Sequence, residues 1–366
     1  MATVGHITHY PASTKCNRIS PLLLAAYTQG AKFKVPVILR HPIFTFFLTF
    51  LVFSPVKADV LSLAWDNDLL TGEDRGYTNG VRFSYLTAAA EDREKSSSTL
   101  AQRGRDAMSF LPGIGRADDQ HAFTFSVRQL MITPADITTP ELQPDDIPYA
   151  GHLSVSSTLW SWNADKITGF GAHLGVIGPE SGAEATQKWV HKLTGSTKPR
   201  GWDNQLGTDV VGGIQAAHAR KVLHTGSPGA IEQQVSVVGS TLLSSFRTTA
   251  KTGLIWRLGR HLPVNFVPDY AGTSSTISMP GSFSESATSW SVFVGLGVEY
   301  VAYSYFEDNA GPFQFEESPL LGQIGIGGSW QWNQTQIALT LRATTGEEES
   351  SKDNFSFGTL SFSWAL

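Results

Sequence analysis

Charge is scarce in this chain and cysteine almost absent. Only 16% of its 366 residues are Asp, Glu, Lys or Arg, and Cys16 is the single cysteine. A soluble surface is usually richer in charge, so part of this one is expected to face something other than water. One cysteine allows no internal disulfide, and no His-x-x-x-His or cysteine pair argues for zinc. The net charge of −5, with no run of lysine or arginine, excludes a nucleic-acid partner. No Gly-x-Ser-x-Gly elbow and no phosphate-cradling glycine loop with its Lys-Ser/Thr appears, which removes two common catalytic scaffolds. After residue 58 there is no apolar run approaching the roughly 20 residues of a membrane helix.

What is present is 41% hydrophobic residues, 35 glycines and an aromatic share of 11%. Lys32, Lys34 and Arg40 precede the apolar run from Pro42 to Phe53, and Val56-Lys57-Ala58 offers a small-residue cleavage site. Residues 1–58 therefore read as a removed secretory segment, longer than usual, and 59–366 as the mature domain. The alternative is an uncleaved anchor.

The mature chain is written in period two. Val292, Val294, Leu296, Val298 and Tyr300 alternate with Phe293, Gly295, Gly297 and Glu299, and Ile324, Ile326, Trp330 and Trp332 alternate with small or polar residues. Similar segments fall at 59–67, 77–88, 121–131, 150–162, 166–177, 204–222, 230–242, 247–260, 289–305, 321–333, 334–345 and 355–366. About twelve strands with one greasy face predict an all-β fold, a transmembrane antiparallel β-barrel closed so that no edge meets lipid. A soluble sandwich or ligand barrel is the alternative. With the N-terminus in the periplasm, connections 68–76, 132–149, 178–203, 243–246, 306–320 and 346–354 face outward. The long inward connections 89–120 and 261–288 have no functional reading.

One stretch departs from alternation. Residues 178–195 read as a short helix in an outward loop, with a capping box at Ser181-x-x-Glu184 and a left-handed stop at Gly195. Glu184, Gln187, His191 and Thr194 share one stripe; Ala185, Trp189 and Leu193 form an apolar one. Trp65-Asp66-Asn67-Asp68 ends the first strand, and Tyr77-Thr78-Asn79-Gly80 begins the second. These rim oxygens suit Ca2+, a hard cation bound by carboxylate, amide and backbone oxygens, although Asp, Asn and Gly also make ordinary turns. His191, on the same rim by strand parity, is a candidate general base, since a free imidazole has a pKa of about 6.5; it is equally a packing or capping histidine. His152, opening the fourth strand in Pro148-Tyr149-Ala150-Gly151-His152, is a further candidate for substrate contact, or else a girdle residue.

Taken in order, Asp66-Asn67-Asp68, Tyr77-Thr78-Asn79-Gly80, Pro148-Tyr149-Ala150-Gly151, the run Gly175 to Gly182, Gln187-x-x-x-His191 and Gly201-Trp202-Asp203-Asn204-Gln205 resemble the lipid A 3′-O-deacylase family of Gram-negative outer membranes. The resemblance implies a twelve-stranded barrel whose active site lies between the wall and a loop helix. It implies calcium-dependent hydrolysis of the ester-linked acyloxyacyl chain of lipid A, the lipid of lipopolysaccharide, by a membrane-embedded protein expected to be a monomer. By position, Asn67 and Asp68 fall in the calcium corner, Thr78 stands beside it, and His191 is the general base. Gln187 and Gln205 are expected to orient groups near the helix. Two departures stand out: a characterised type of member carries an acidic residue six positions beyond the helix histidine, where this chain has Thr197, and a lysine that type uses in its third connection has no obvious counterpart between Pro134 and Tyr149. Lys192, Lys198 and Arg200 offer phosphate contacts instead, or form a solvated loop. The competing functions are an outer-membrane phospholipase, for which no convincing His-x-Ser pair is found, and a non-catalytic porin or structural barrel.

Overall fold

The structure is a computed structural model that describes residues 59–67, 76–89, 100–116, 119–227, 229–267, 283–309, 311–313, 317–345 and 355–366. The expected secretory segment, residues 1–58, lies outside them. Twelve strands form one closed antiparallel barrel: β1 (Val60–Asn67), β2 (Gly76–Leu86), β3 (Gln120–Thr133), β4 (Ala150–Trp162), β5 (Lys166–Ile177), β6 (Asp209–Thr225), β7 (Ile231–Ser244), β8 (Arg247–Arg260), β9 (Thr288–Ser304), β10 (Leu320–Trp332), β11 (Thr335–Thr344) and β12 (Phe355–Ala365). Closure runs through β1 and β12, from Val60 opposite Ala365 to Asn67 opposite Gly358. Every strand edge thereby finds a partner, as a sheet standing in hydrocarbon requires.

The period-two pattern sorts side chains between two environments. On β9, Val292, Val294, Leu296, Val298 and Tyr300 are 40–59% exposed, whereas Glu299 on the other face is 0% exposed. Exposed aliphatics on a closed barrel make a lipid-facing band. Its edges are aromatic: Trp290 pairs with Trp330 near one rim, and Tyr300 lies at the other end of β9. Ten strand steps between Trp290 and Tyr300, at about 3.4 Å each and tilted about 40°, give roughly 26 Å, the height of an outer-membrane apolar band.

The inward face is polar and paired. Asp66 accepts from the Thr359 hydroxyl at 2.7 Å and lies 3.9 Å from Arg128. Glu299 meets Lys251 at 3.4 Å, Arg342 at 3.5 Å and the Gln323 amide. Arg247 pairs with Glu317. Apolar clusters then fill the lumen at both ends. Leu130, Ile132, Ile177, Phe246, Phe306 and Phe357 close the rim away from the termini, and Leu86, Ala122, Trp160, Trp162, Ile167 and Phe266 fill the other.

Phe266 lies at the described start of one of the two long inward connections. Arg257 donates to the carbonyls of Pro263 (3.0 Å) and Asn265 (2.7 Å), and so holds Phe266 in the lumen. The other connection contains a helix the sequence did not announce, α1 (Leu100–Ala107), which packs on β3 and β4. Gly104 sits so close to the Phe123 ring that a Cβ there would lie 2.3 Å from it. The expected loop helix is α2 (Ala183–Thr194), and a single turn, α3 (Tyr305–Asp308), follows β9.

Candidate active site

Helix α2 does not enter the barrel; it lies against the outer surface of the wall. Strand parity fixes this. Leu130, Ile132 and Ala150 point into the lumen cluster, so Gln129, Met131 and Gly151 point outward, and these meet the helix. Gln129 Nε2 donates to the Ser181 carbonyl at 2.7 Å. Met131, Tyr149, Ala183 and Trp202 form a small core between helix and wall. At Gly151, a Cβ would come within 2.0 Å of Ser181 Oγ and 2.5 Å of the Ala183 methyl, so only glycine lets the helix settle there.

The local ends of α2 differ from expectation at one side only. Gly195 adopts φ 73° and its N–H donates to the His191 carbonyl, the expected left-handed stop. The capping box does not form. The helix starts at Ala183 after Gly182 at φ 69°, Ser181 belongs to a preceding 3-10 turn, Pro179–Ser181, and its hydroxyl accepts weakly from Ala183 N–H at 3.4 Å. Glu184 pairs with Lys188 instead. The packing face also differs: Ala183 and Gln187 are buried, while Trp189 and Leu193 of the apolar stripe are 62% and 58% exposed.

Two connections are tied together beneath α2. The Arg200 N–H donates to the Ile137 carbonyl (2.8 Å), Asn204 Nδ2 to the Pro140 carbonyl (2.8 Å), and the Leu206 N–H to the Tyr149 carbonyl (2.9 Å). The Tyr149 and Trp202 rings meet at a tilt of 54° with centroids 5.0 Å apart, and Gly201 leaves room for the tyrosine. Burial pushes the Tyr149 phenol up to about 12, so it remains a neutral donor to the Ile137 carbonyl. Hydrogen bonds from Thr138 and Thr139 hold Asp136 down to about 2, keeping this turn anchored by a charged acceptor. The motifs Pro148-Tyr149-Ala150-Gly151 and Gly201-Trp202 are thus parts of one packing unit.

Gln187 and His191 follow from that unit. Trp202 Nε1 donates to Gln187 Oε1 at 2.6 Å, which turns the amide so that its buried Nε2 has no partner. The buried Gln205 Oε1 is likewise unpartnered. One turn beyond Gln187, His191 Nδ1 lies 2.5 Å from the Thr197 carbonyl oxygen. A carbonyl only accepts, so Nδ1 is the donor, and in the neutral tautomer this selects the lone pair lies on Nε2. Position 197 therefore orients the imidazole through its backbone. Lys192, Lys198 and Arg200 are exposed around the same end of the helix.

The oxygen corner is on the same outer face. Asn67 opposes Asn79, Asn79 opposes Met131, and Met131 opposes Gly151, one continuous row across β1 to β4. At about 4.8 Å per strand, Asn67 stands roughly 10 Å from the part of β3 that α2 covers. Trp65 Nε1 donates to Asn79 Oδ1 at 3.2 Å, which keeps the Asn79 amide on this face. The register of β2 against β3 breaks between Tyr77 and Asn79, at Thr78. Asp68 lies outside the described residues. Of the two residues expected to hold calcium, only Asn67 is therefore placed, and it brings an amide oxygen.

His152 does not join this group. It faces the lumen, 1% exposed and stacked on Phe246 at 4.2 Å, on the opposite side of the wall from α2. The sequence His152-Leu153-Ser154 has the spacing of a phospholipase pair, yet both polar side chains are buried in the lumen, away from lipid. A second constellation, Ser161 with His121 (3.2 Å) and Asp119 (3.3 Å), is buried near the opposite rim, and there the hydroxyl rather than the imidazole bridges. It is a structural clip, not a catalytic relay.

A family model described as outer membrane protein LpxR matches residues 43–366. Among solved structures, LpxR from Salmonella typhimurium superposes with a TM-score of 0.66 at 16% identity, over 84% of this chain and 100% of that one. The β domain of the Bordetella autotransporter BrkA (TM-score 0.37, 8% identity, 84% and 98% covered) and the KdgM porin (0.33, 6%, 84% and 99%) are also similar, more distantly. No curated protein matches.

Proposed function

The chain belongs to the LpxR family of outer membrane proteins, the lipid A deacylase family its motifs resemble, and from that premise we propose that it hydrolyses the 3′-O-linked acyloxyacyl ester of lipid A with His191 as general base. The observation that supports this reading best is the His191–Thr197 hydrogen bond, which orients the ring through Nδ1 and so directs Nε2 away from that carbonyl. In the reaction, Nε2 takes a proton from water as the water oxygen attacks the ester carbonyl. The tetrahedral oxyanion collapses, the carbon–oxygen bond to the sugar breaks, and the imidazolium returns its proton to the departing 3′ oxygen. The products are the acyloxyacyl acid and lipid A with a free 3′ hydroxyl.

Gln187, its amide fixed by Trp202, and Gln205 are orienting groups beneath the helix, where their unpartnered amide atoms are buried. Asn67 and Asp68 would hold calcium, with Thr78 beside them; when bound, the ion supplies positive charge to the carbonyl oxygen. Lys192, Lys198 and Arg200 supply charge for lipid A phosphates in place of the missing third-connection lysine. The closed strand circuit leaves no edge for another copy, which supports a monomer. His152 has no part in this reading.

The test is incubation of the purified protein with lipid A in strong calcium chelator and after calcium is restored, with products read by mass spectrometry. Loss of the acyloxyacyl acid in chelator and recovery on adding calcium is expected. Undiminished release in chelator removes the metal from the mechanism, and release of lysophospholipid from a phospholipid substrate favours the phospholipase.

A further inference from the structure

The apolar stripe of α2 is the part of the helix that the site leaves unused. With 3.6 residues per turn, Ala183 and Gln187 define the face on the wall; His191 lies about 60° to one side of it, and Leu193 and Trp189 about 100–140° to the other. Lys188 and Lys192 crown the helix away from the wall. Trp189 and Leu193, one turn apart, are 62% and 58% exposed, and nothing in the small core of Met131, Tyr149, Ala183 and Trp202 involves them. In water such a flank is unfavourable, since both large apolar side chains forgo burial.

We infer that this flank is seated in the lipid beside the barrel, making α2 an interfacial helix whose occupant is the acyl region of the surrounding leaflet. Three observations support it. The helix rests on the outside of an outer-membrane barrel. Its footprint runs directly into the lipid-facing band: Val127 is next on the outward face of β3 after Gln129, and Val155 follows Gly151 and Leu153 on that of β4, exposed at 47% and 54%. The side-chain chemistry is also that of an interfacial helix, Trp and Leu on one flank and lysine on the crown, where anionic headgroups lie. One flank then grips hydrocarbon while the other holds His191 to the groove, so the lipid itself fixes the rotation of the catalytic helix. This rests on the outer-membrane placement and on the wall contact of α2, not on turnover.

The experiment uses the full chain with Cys16→Ser, which removes its only native thiol, and a new cysteine introduced by Trp189→Cys, Leu193→Cys or Lys188→Cys. Each is labelled with a bimane dye and reconstituted into phosphatidylcholine vesicles with or without acyl-chain-brominated phosphatidylcholine. The labels at 189 and 193 are expected to be quenched by the brominated chains and shielded from aqueous iodide, and the label at 188 to behave oppositely. Equal responses at 188 and 189 to both quenchers overturn the inference, whether or not the protein hydrolyses lipid A. Heat-modifiable migration of each labelled protein verifies the folded barrel.

Discussion

The oriented imidazole depends on a backbone oxygen, and that has consequences for substitution. Because the Thr197 carbonyl accepts from His191 Nδ1, Thr197→Ala keeps turnover within about a factor of two, the effect expected of a surface change that leaves the acceptor in place. Steady-state kinetics on lipid A checks this; a loss on the scale of removing a general base, about 100-fold or more, would show that the threonine side chain is required. His191 was legible in the sequence because a histidine four residues beyond a glutamine on one helix stripe is a side-chain signal. Its partner was not, since a carbonyl is common to every residue and only the path of the chain from Gly195 to Thr197 selects one. Gln187 was legible as a polar helix position, but its fixed rotamer came from Trp202, which local spacing does not reveal.

Helix α2 and the wall were legible to different degrees, for a reason that belongs to elements. Strands announced themselves because lipid and lumen impose alternation on every residue from Val292 to Tyr300. The helix announced its existence and its Gly195 end but not its orientation. An amphipathic reading assumes that the apolar stripe packs against protein, and here Trp189 and Leu193 point away while Ala183 and Gln187 pack. Helix α1 and the seating of Phe266 were hidden because they depend on contacts distant in sequence. The fit of α2 to β4 is specific: Gly151→Val should displace Ser181 and Ala183, given the 2.0 Å and 2.5 Å approaches that a Cβ would make. Turnover is expected to fall at least about 10-fold, in line with the sensitivity of catalysis to misplacement of a group by an ångström, while heat-modifiable migration shows an intact barrel. Full activity in Gly151→Val would mean that contact with the wall is not what positions His191.

At the scale of the whole molecule, an apolar outside is joined to a lumen that is polar along its length and capped by apolar clusters. Glu299 is central to the interior, meeting Lys251, Arg342 and Gln323 at 0% exposure. Glu299→Leu leaves those cations without their shared carboxylate and is expected to cost about 3–5 kcal/mol, read as a lowered temperature of barrel unfolding; an unchanged temperature would mean that water or other groups replace the carboxylate at no cost. In the proposed reading this body carries its chemistry on its outer surface, where a lipid can reach it by lateral diffusion without entering the lumen. The direct test of that arrangement is the lipid A mass spectrum of Gram-negative cells expressing the protein or its His191→Ala variant at equal barrel abundance. The account predicts that lipid A loses the mass of its 3′ acyloxyacyl unit with the unaltered chain and keeps it with the variant. Loss of that mass with both would contradict it.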